Sequence, residues 1–107
     1  MGVTKRHIHT DHAIILADYA KVLSSPARIA ILNYIGDCEG CLCKDISEKI
    51  QLSQPTTSQH LNVIKKAGLL TSRFEGKSQY YRIDVDKLNE LKSVFQSFFE
   101  VTEAKCC

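Results

Sequence analysis

Apolar residues recur every three or four positions along most of the chain and alternate at every second position in one stretch, which predicts five helices and a hairpin. From Asp11 to Leu23, Ile15, Tyr19, Val22 and Leu23 hold helical spacing, and Ile14, Leu16, Ala17 and Ala20 widen the stripe. A second helix follows in "SSPARIAILNYIGD", with Ser25 as N-cap, Pro26 at the first helical position, Gly36 near the stop, and Ile29, Ile31, Leu32 and Ile35 as the expected buried set. "KDISEKI" carries Ile46 and Ile50 four apart and predicts a short third helix. "LSQPTTSQHLNVIKKAGLL" starts on Ser53 and Pro55 and ends at Gly68, a natural left-handed stop. Its apolar stripe is thin: Leu61, Ile64 and Ala67, with Val63 at the margin. The period then shortens to two in "LLTSRFEGKSQYYRID", two strands around Gly76-Lys77, where Gly at the first central position suits a II′ turn. From Asp86 to about Glu103, Leu88, Leu91, Phe95 and Phe98 restore the helical period.

Two helices joined by the short turn from Gln51 to Gln54, with a hairpin directly after them, point to a winged helix-turn-helix. The expected fold class is mainly α with a β-hairpin wing: four helices, the wing, and a C-terminal helix. At 107 residues the chain suits one domain, with 1–10 and 104–107 as flexible tails. No apolar run approaches the roughly 18 residues of a membrane span, and the polar, basic start "MGVTKRHIHTDH" does not read as a secretory signal, so a cytoplasmic location and no membrane partner are expected. The formal charge of +2 is too weak to announce nucleic acid by itself, so the distribution of side chains has to decide.

That distribution is unusual in the fourth helix. Gln54, Thr56, Thr57, Ser58, Gln59, His60 and Asn62 crowd its first half with short hydrogen-bonding groups, where an ordinary solvated face would carry Glu and Lys. Such side chains enter a major groove and reach base edges without a bulky stem. Ser53 opens the run, Lys65 and Lys66 are placed for backbone phosphate, and Arg73 and Lys77 add positive charge on the wing. The expected partner is double-stranded DNA.

The ordered strings "LSSPARIAILNYI", "LSQPTTSQHLNVIKKAGLL" and "RFEGKSQYYRI", from about Leu23 to Ile83, resemble the ArsR/SmtB family of winged-helix repressors. The resemblance implies a homodimer, joined through the first and last helices, that blocks a promoter until an inducer binds.

Five cysteines, Cys38, Cys41, Cys43, Cys106 and Cys107, read in a reducing compartment as ligands or redox groups in preference to a disulfide framework. "CLCKDI" resembles the Cys-x-Cys that arsenite-, antimonite-, cadmium- and lead-sensing members of the family carry at the third helix, although Lys44 stands where an acidic residue commonly follows. On a helix, residues two apart diverge by about 200° and cannot share an ion, whereas an extended segment points them the same way, so joint ligation needs an unwound helix start. Gly40 permits that backbone, and a helix amino terminus favours a thiolate. Arsenite, antimonite or another soft ion is the expected inducer, and no cofactor is expected to be needed for folding. The third ligand is open between Cys38, Cys106 and Cys107.

Other readings carry less. The tract His7, His9, Asp11 and His12 has zinc-ligand spacing but reads as a polar tail, and Asp84-Val85-Asp86 stands where zinc-sensing members have Asp-x-His. A thiol-redox or reactive-sulfur switch on the same fold is the alternative inducer chemistry. Cys38-x-x-Cys41 has oxidoreductase spacing, but no β-α-β context, active-site base or phosphate loop accompanies it, so no enzyme activity is expected.

Overall fold

The computed structural model describes residues 9–38 and 40–106. Four helices come first with one short strand among them: α1 Asp11–Val22, α2 Pro26–Gly36, β1 Cys41–Leu42, α3 Cys43–Ile50 and α4 Gln54–Lys66. The hairpin β2 Leu70–Glu75 and β3 Ser78–Ile83 and the long helix α5 Val85–Lys105 complete it.

Side chains start most of these helices. Thr10 Oγ1 accepts from Ala13 N, Ser25 Oγ from Arg28 N, Ser53 Oγ from Thr56 N and Asp84 Oδ1 from Lys87 N, each satisfying an amide that the helix cannot. Helix α3 has no side-chain cap and grows directly from β1 through extended Leu42. Its other end turns on Gln51 at φ 60°, a left-handed residue that sends the chain into α4. Gly68, at φ 86°, ends the α4 turn and donates to the Lys65 carbonyl at 2.9 Å.

The sheet order is β1-β3-β2, antiparallel throughout. Gly76, at φ 64°, heads the hairpin turn between Glu75 and Ser78, as a II′ turn requires. The third strand was not expected from the sequence: Cys41 pairs with Tyr81 and Leu42 with Tyr80, so the cysteine segment is the edge strand of the wing.

The core gathers Ile31 and Ile35 of α2, Ile46 of α3, Leu61 and Ile64 of α4, and Leu69, Leu70, Tyr81 and Cys41 around the sheet, closed by Tyr19, Val22 and Leu91. Two expectations need correction. Ile29 lies 39% exposed because the core meets α2 along Ile31 and Ile35. Helix α5 continues to Lys105, so Ala104 and Lys105 are helical and not tail. Of the stripe expected in α5, Leu91 is buried and Phe95 half-buried, while Leu88 and Phe98 are exposed.

Candidate nucleic-acid interface and thiol cluster

At 3.6 residues per turn, burial of Leu61 and Ile64 turns Thr56, Gln59, Asn62, Val63 and Lys66 toward the opposite face of α4. Gln54, Gln59 and Asn62 are exposed, and Ser58 and His60 are half-buried on the flanks. Ser53 Oγ, which caps the helix, also donates to Thr56 Oγ1 at 2.9 Å, leaving the Thr56 hydroxyl hydrogen free to point outward. Thr57 departs from the expected DNA-facing set. It is fully buried and its hydroxyl donates to the Ser53 carbonyl at 2.9 Å, because it lies one turn before Leu61 on the core face.

The wing is tied to α4 by a side chain. Lys65 Nζ donates to Ser72 Oγ at 2.6 Å, and Gln79 donates to the same oxygen at 3.0 Å. Arg73 is not a bare cation: it pairs with Glu75 at 2.8 Å, stacks 5.1 Å from the Tyr80 ring centroid, and lies where a Cβ on Gly40 would meet its guanidinium at 3.4 Å. It therefore covers the cysteine loop as well as standing on the wing. Lys66 and Lys77 are exposed.

On the other flank of α4, Arg28 of α2 reaches across. Its Nε donates to the Val22 carbonyl at 2.6 Å, Nη2 to the Lys21 carbonyl at 3.0 Å, and Nη1 lies 3.4 Å from His60 Nδ1. Arg28, Ser72 and Gln79 escaped sequence reading because each acts through a partner on another element. Only Arg28, the one charged residue of the second helix, hinted at a task.

The cysteines divide. Cys41 is buried in β1, Leu42 is extended, and Cys43 opens α3, so one extended residue separates the two cysteines at the helix start. Gly40, at φ 137°, makes the turn into it. Cys38 follows the end of α2, and its sulfur is bonded to that of Cys41, the Cα atoms being 6.4 Å apart. This differs from the expectation of separate thiols: at that Cα separation the two cysteines are within disulfide reach. Accordingly, among the described residues no three His, Cys, Asp or Glu side chains stand as a metal-holding group: two of the three clustered sulfurs are joined to each other.

Cys43 is a free thiol, half-buried, donating to the Gln54 carbonyl of α4 at 3.9 Å. Burial pushes this thiol up. The Tyr81 hydroxyl is pushed up as well, by burial first and then by the neighbouring Cys43.

Cys106 is exposed at the far end of α5, donating to the Thr102 carbonyl. Cys38 shares a cleft of about 550 Å³ with Val85 and Leu88 at the near end of the same helix. Twenty-one helical residues span roughly 30 Å, so Cys106 does not meet the cluster within one protomer. Cys107 and His7 lie outside the described residues; His9, Asp11 and His12 are exposed at the start of α1.

A helix-turn-helix with a three-stranded wing against it defines a DNA-binding transcriptional regulator and not an enzyme. The chain belongs to the ArsR family. Residues 25–72 match the family model described as "Bacterial regulatory protein, arsR family". The arsenical resistance operon repressor of Staphylococcus xylosus is 36% identical over 74 residues, 69% of this chain and 70% of that one. The cadmium resistance regulatory protein CadC of Listeria innocua is 36% identical over 86 residues, 79% of this chain and 71% of that one. Among solved structures, the homodimeric winged helix-turn-helix domain of a possible ArsR-family regulator from Mycobacterium bovis superposes with a TM-score of 0.68 at 25% identity, covering 99% of this chain and 96% of that one.

Proposed function

We propose that the chain is a dimeric, cytoplasmic repressor that releases double-stranded operator DNA when a thiophilic metalloid or metal, arsenite first, binds Cys41, Cys43 and Cys38. The observation that carries this is the place of β1: the segment bearing Cys41 is hydrogen-bonded to the wing strand β3 and runs without a break into α3 of the helix-turn-helix. Drawing the sulfurs together must move the wing edge, α3, or both. The arsenical resistance repressor and the cadmium resistance regulatory protein among the relatives support the class of inducer.

The proton balance is definite. Thiol–disulfide exchange with a dithiol reductant, itself oxidised to its disulfide, opens the Cys38–Cys41 bond and gives two thiols beside Cys43. Arsenous acid then exchanges its three hydroxyls for three sulfurs, each thiol proton leaving with a hydroxide as water. An inducer lowers DNA affinity only by binding the released conformation better than the bound one.

The dimer is proposed through α1 and α5. Ile15, Leu88, Phe98, Phe99 and Val101 are exposed on these two helices, and α5 buries only Leu91 within the chain. A gel-shift titration with arsenite under reductant tests the switch. DNA release that persists unchanged when Cys41 and Cys43 are both serine overturns the assignment.

The bonded pair Cys38–Cys41 favours one second reading, a redox switch in which disulfide formation is itself the signal. Mass spectrometry and gel shifts after oxidant, set against metal titration under reductant, separate the two.

A further inference from the structure

We propose that Arg28, outside the recognition helix, positions His60 for DNA by fixing its tautomer and its ring orientation. Two prongs of the Arg28 guanidinium, Nε and Nη2, are anchored on the Val22 and Lys21 carbonyls at 2.6 and 3.0 Å. These carbonyls close α1; that of Lys21 also accepts from Ser24 N at 3.2 Å and from Ser24 Oγ at 2.6 Å, so Arg28 joins an existing cap. Because the guanidinium is planar and rigid, anchoring two prongs fixes the third, and Nη1 faces His60 Nδ1 at 3.4 Å.

A guanidinium only donates, so Nδ1 accepts, and the single proton of the neutral ring sits on Nε2. The Nε2–H bond points away from Arg28, on the other side of the ring. His60 stands half-buried on the α4 flank, between buried Leu61 and exposed Gln59. From there the ring offers an acceptor on DNA a donor that cannot convert to an acceptor while Arg28 holds Nδ1. Arg28 thus links the end of α1 to the DNA-reading helix.

The proposal rests on α4 being that reading helix and is independent of the inducer. Its test has one arm without DNA and one with it. At pH 8, ¹⁵N NMR of the free protein should show His60 as the Nε2–H tautomer, and as a mixture in Arg28→Met. The probe for binding is a duplex selected by the wild-type protein from a randomised pool. Arg28→Met and His60→Ala should each weaken it about tenfold, the loss expected of one hydrogen bond, and the double variant should be no weaker than His60→Ala.

His60→Gln carries an amide donor that needs no tautomer control. On that background Arg28→Met should cost less than about twofold, the size of a non-interacting change. A purely structural role for Arg28 predicts the same loss on both backgrounds and overturns the proposal. So does an Nδ1–H ring in the wild type. If no duplex is selected, the reading of α4 fails, and the NMR arm still decides what Arg28 does to the ring.

Discussion

Thr57 shows how one residue in a polar run can belong to the core. Its hydroxyl finds the Ser53 carbonyl at no cost in exposure, so the side chain is buried where a contact with DNA was expected. Thr57→Val should cost about 1 kcal/mol in urea unfolding, the loss of one internal hydrogen bond, and change operator affinity less than about twofold. The cysteines make a second prediction at this scale. A divalent ion must displace a proton from every thiol it takes, whereas arsenous acid returns those protons as water. Cadmium affinity measured under reductant should therefore climb with pH through the thiol range, reaching higher pH because burial holds Cys43 up, and arsenite affinity should stay nearly flat below it.

Among the elements, α1 and α5 are joined by the Tyr19 hydroxyl donating to the Glu90 carboxylate. Hydrogen bonding to Glu90 pushes Tyr19 from 10.0 up to about 12. The same bond, then Lys87, holds Glu90 below its usual range. Stabilisation through Glu90 is complete above the unfolded carboxylate's pKa and disappears as pH falls through the lower folded value. Stabilisation through Tyr19 is complete below pH 10 and disappears as pH rises toward about 12. The melting temperature of Tyr19→Phe should thus lie below wild type by a constant margin near neutrality, and the margin should shrink at both extremes. Core residues are less forgiving. Leu61→Ala, at a fully buried site where α4 meets the core, should cost about 2 to 5 kcal/mol in denaturant unfolding.

At the scale of the whole molecule, the 21-residue α5 carries more apolar surface than its own chain covers. Phe98→Asp should convert the protein to monomers in sedimentation velocity and weaken operator binding at least about tenfold, since one half-site then binds alone. Unchanged sedimentation would place the dimer interface elsewhere.

The helices, the Ser25 and Ser53 caps and the hairpin were legible in the sequence because each rests on local chemistry. Ser25, Ser53 and Pro26 start helices, Gly68 and Gly76 accept left-handed backbone, and the change from period four to period two marks the wing. Family membership was legible for the same reason, since its motifs are contiguous strings. Strand β1 was hidden: two residues show no period, and Cys41-Leu42 is a strand only because Tyr80 and Tyr81 lie beside it. The pairing of Cys38 with Cys41, the burial of Thr57, and the reach of Arg28 to His60 across 32 positions were hidden likewise. The sequence by itself determined which segments are helical, and which carry groups suited to DNA and soft ions, because propensity, capping and periodicity act within a few residues. Which of those groups face outward, which sulfurs meet, and that the cysteine segment belongs to the wing were decided by tertiary structure, because burial and pairing depend on residues the chain brings back from far away.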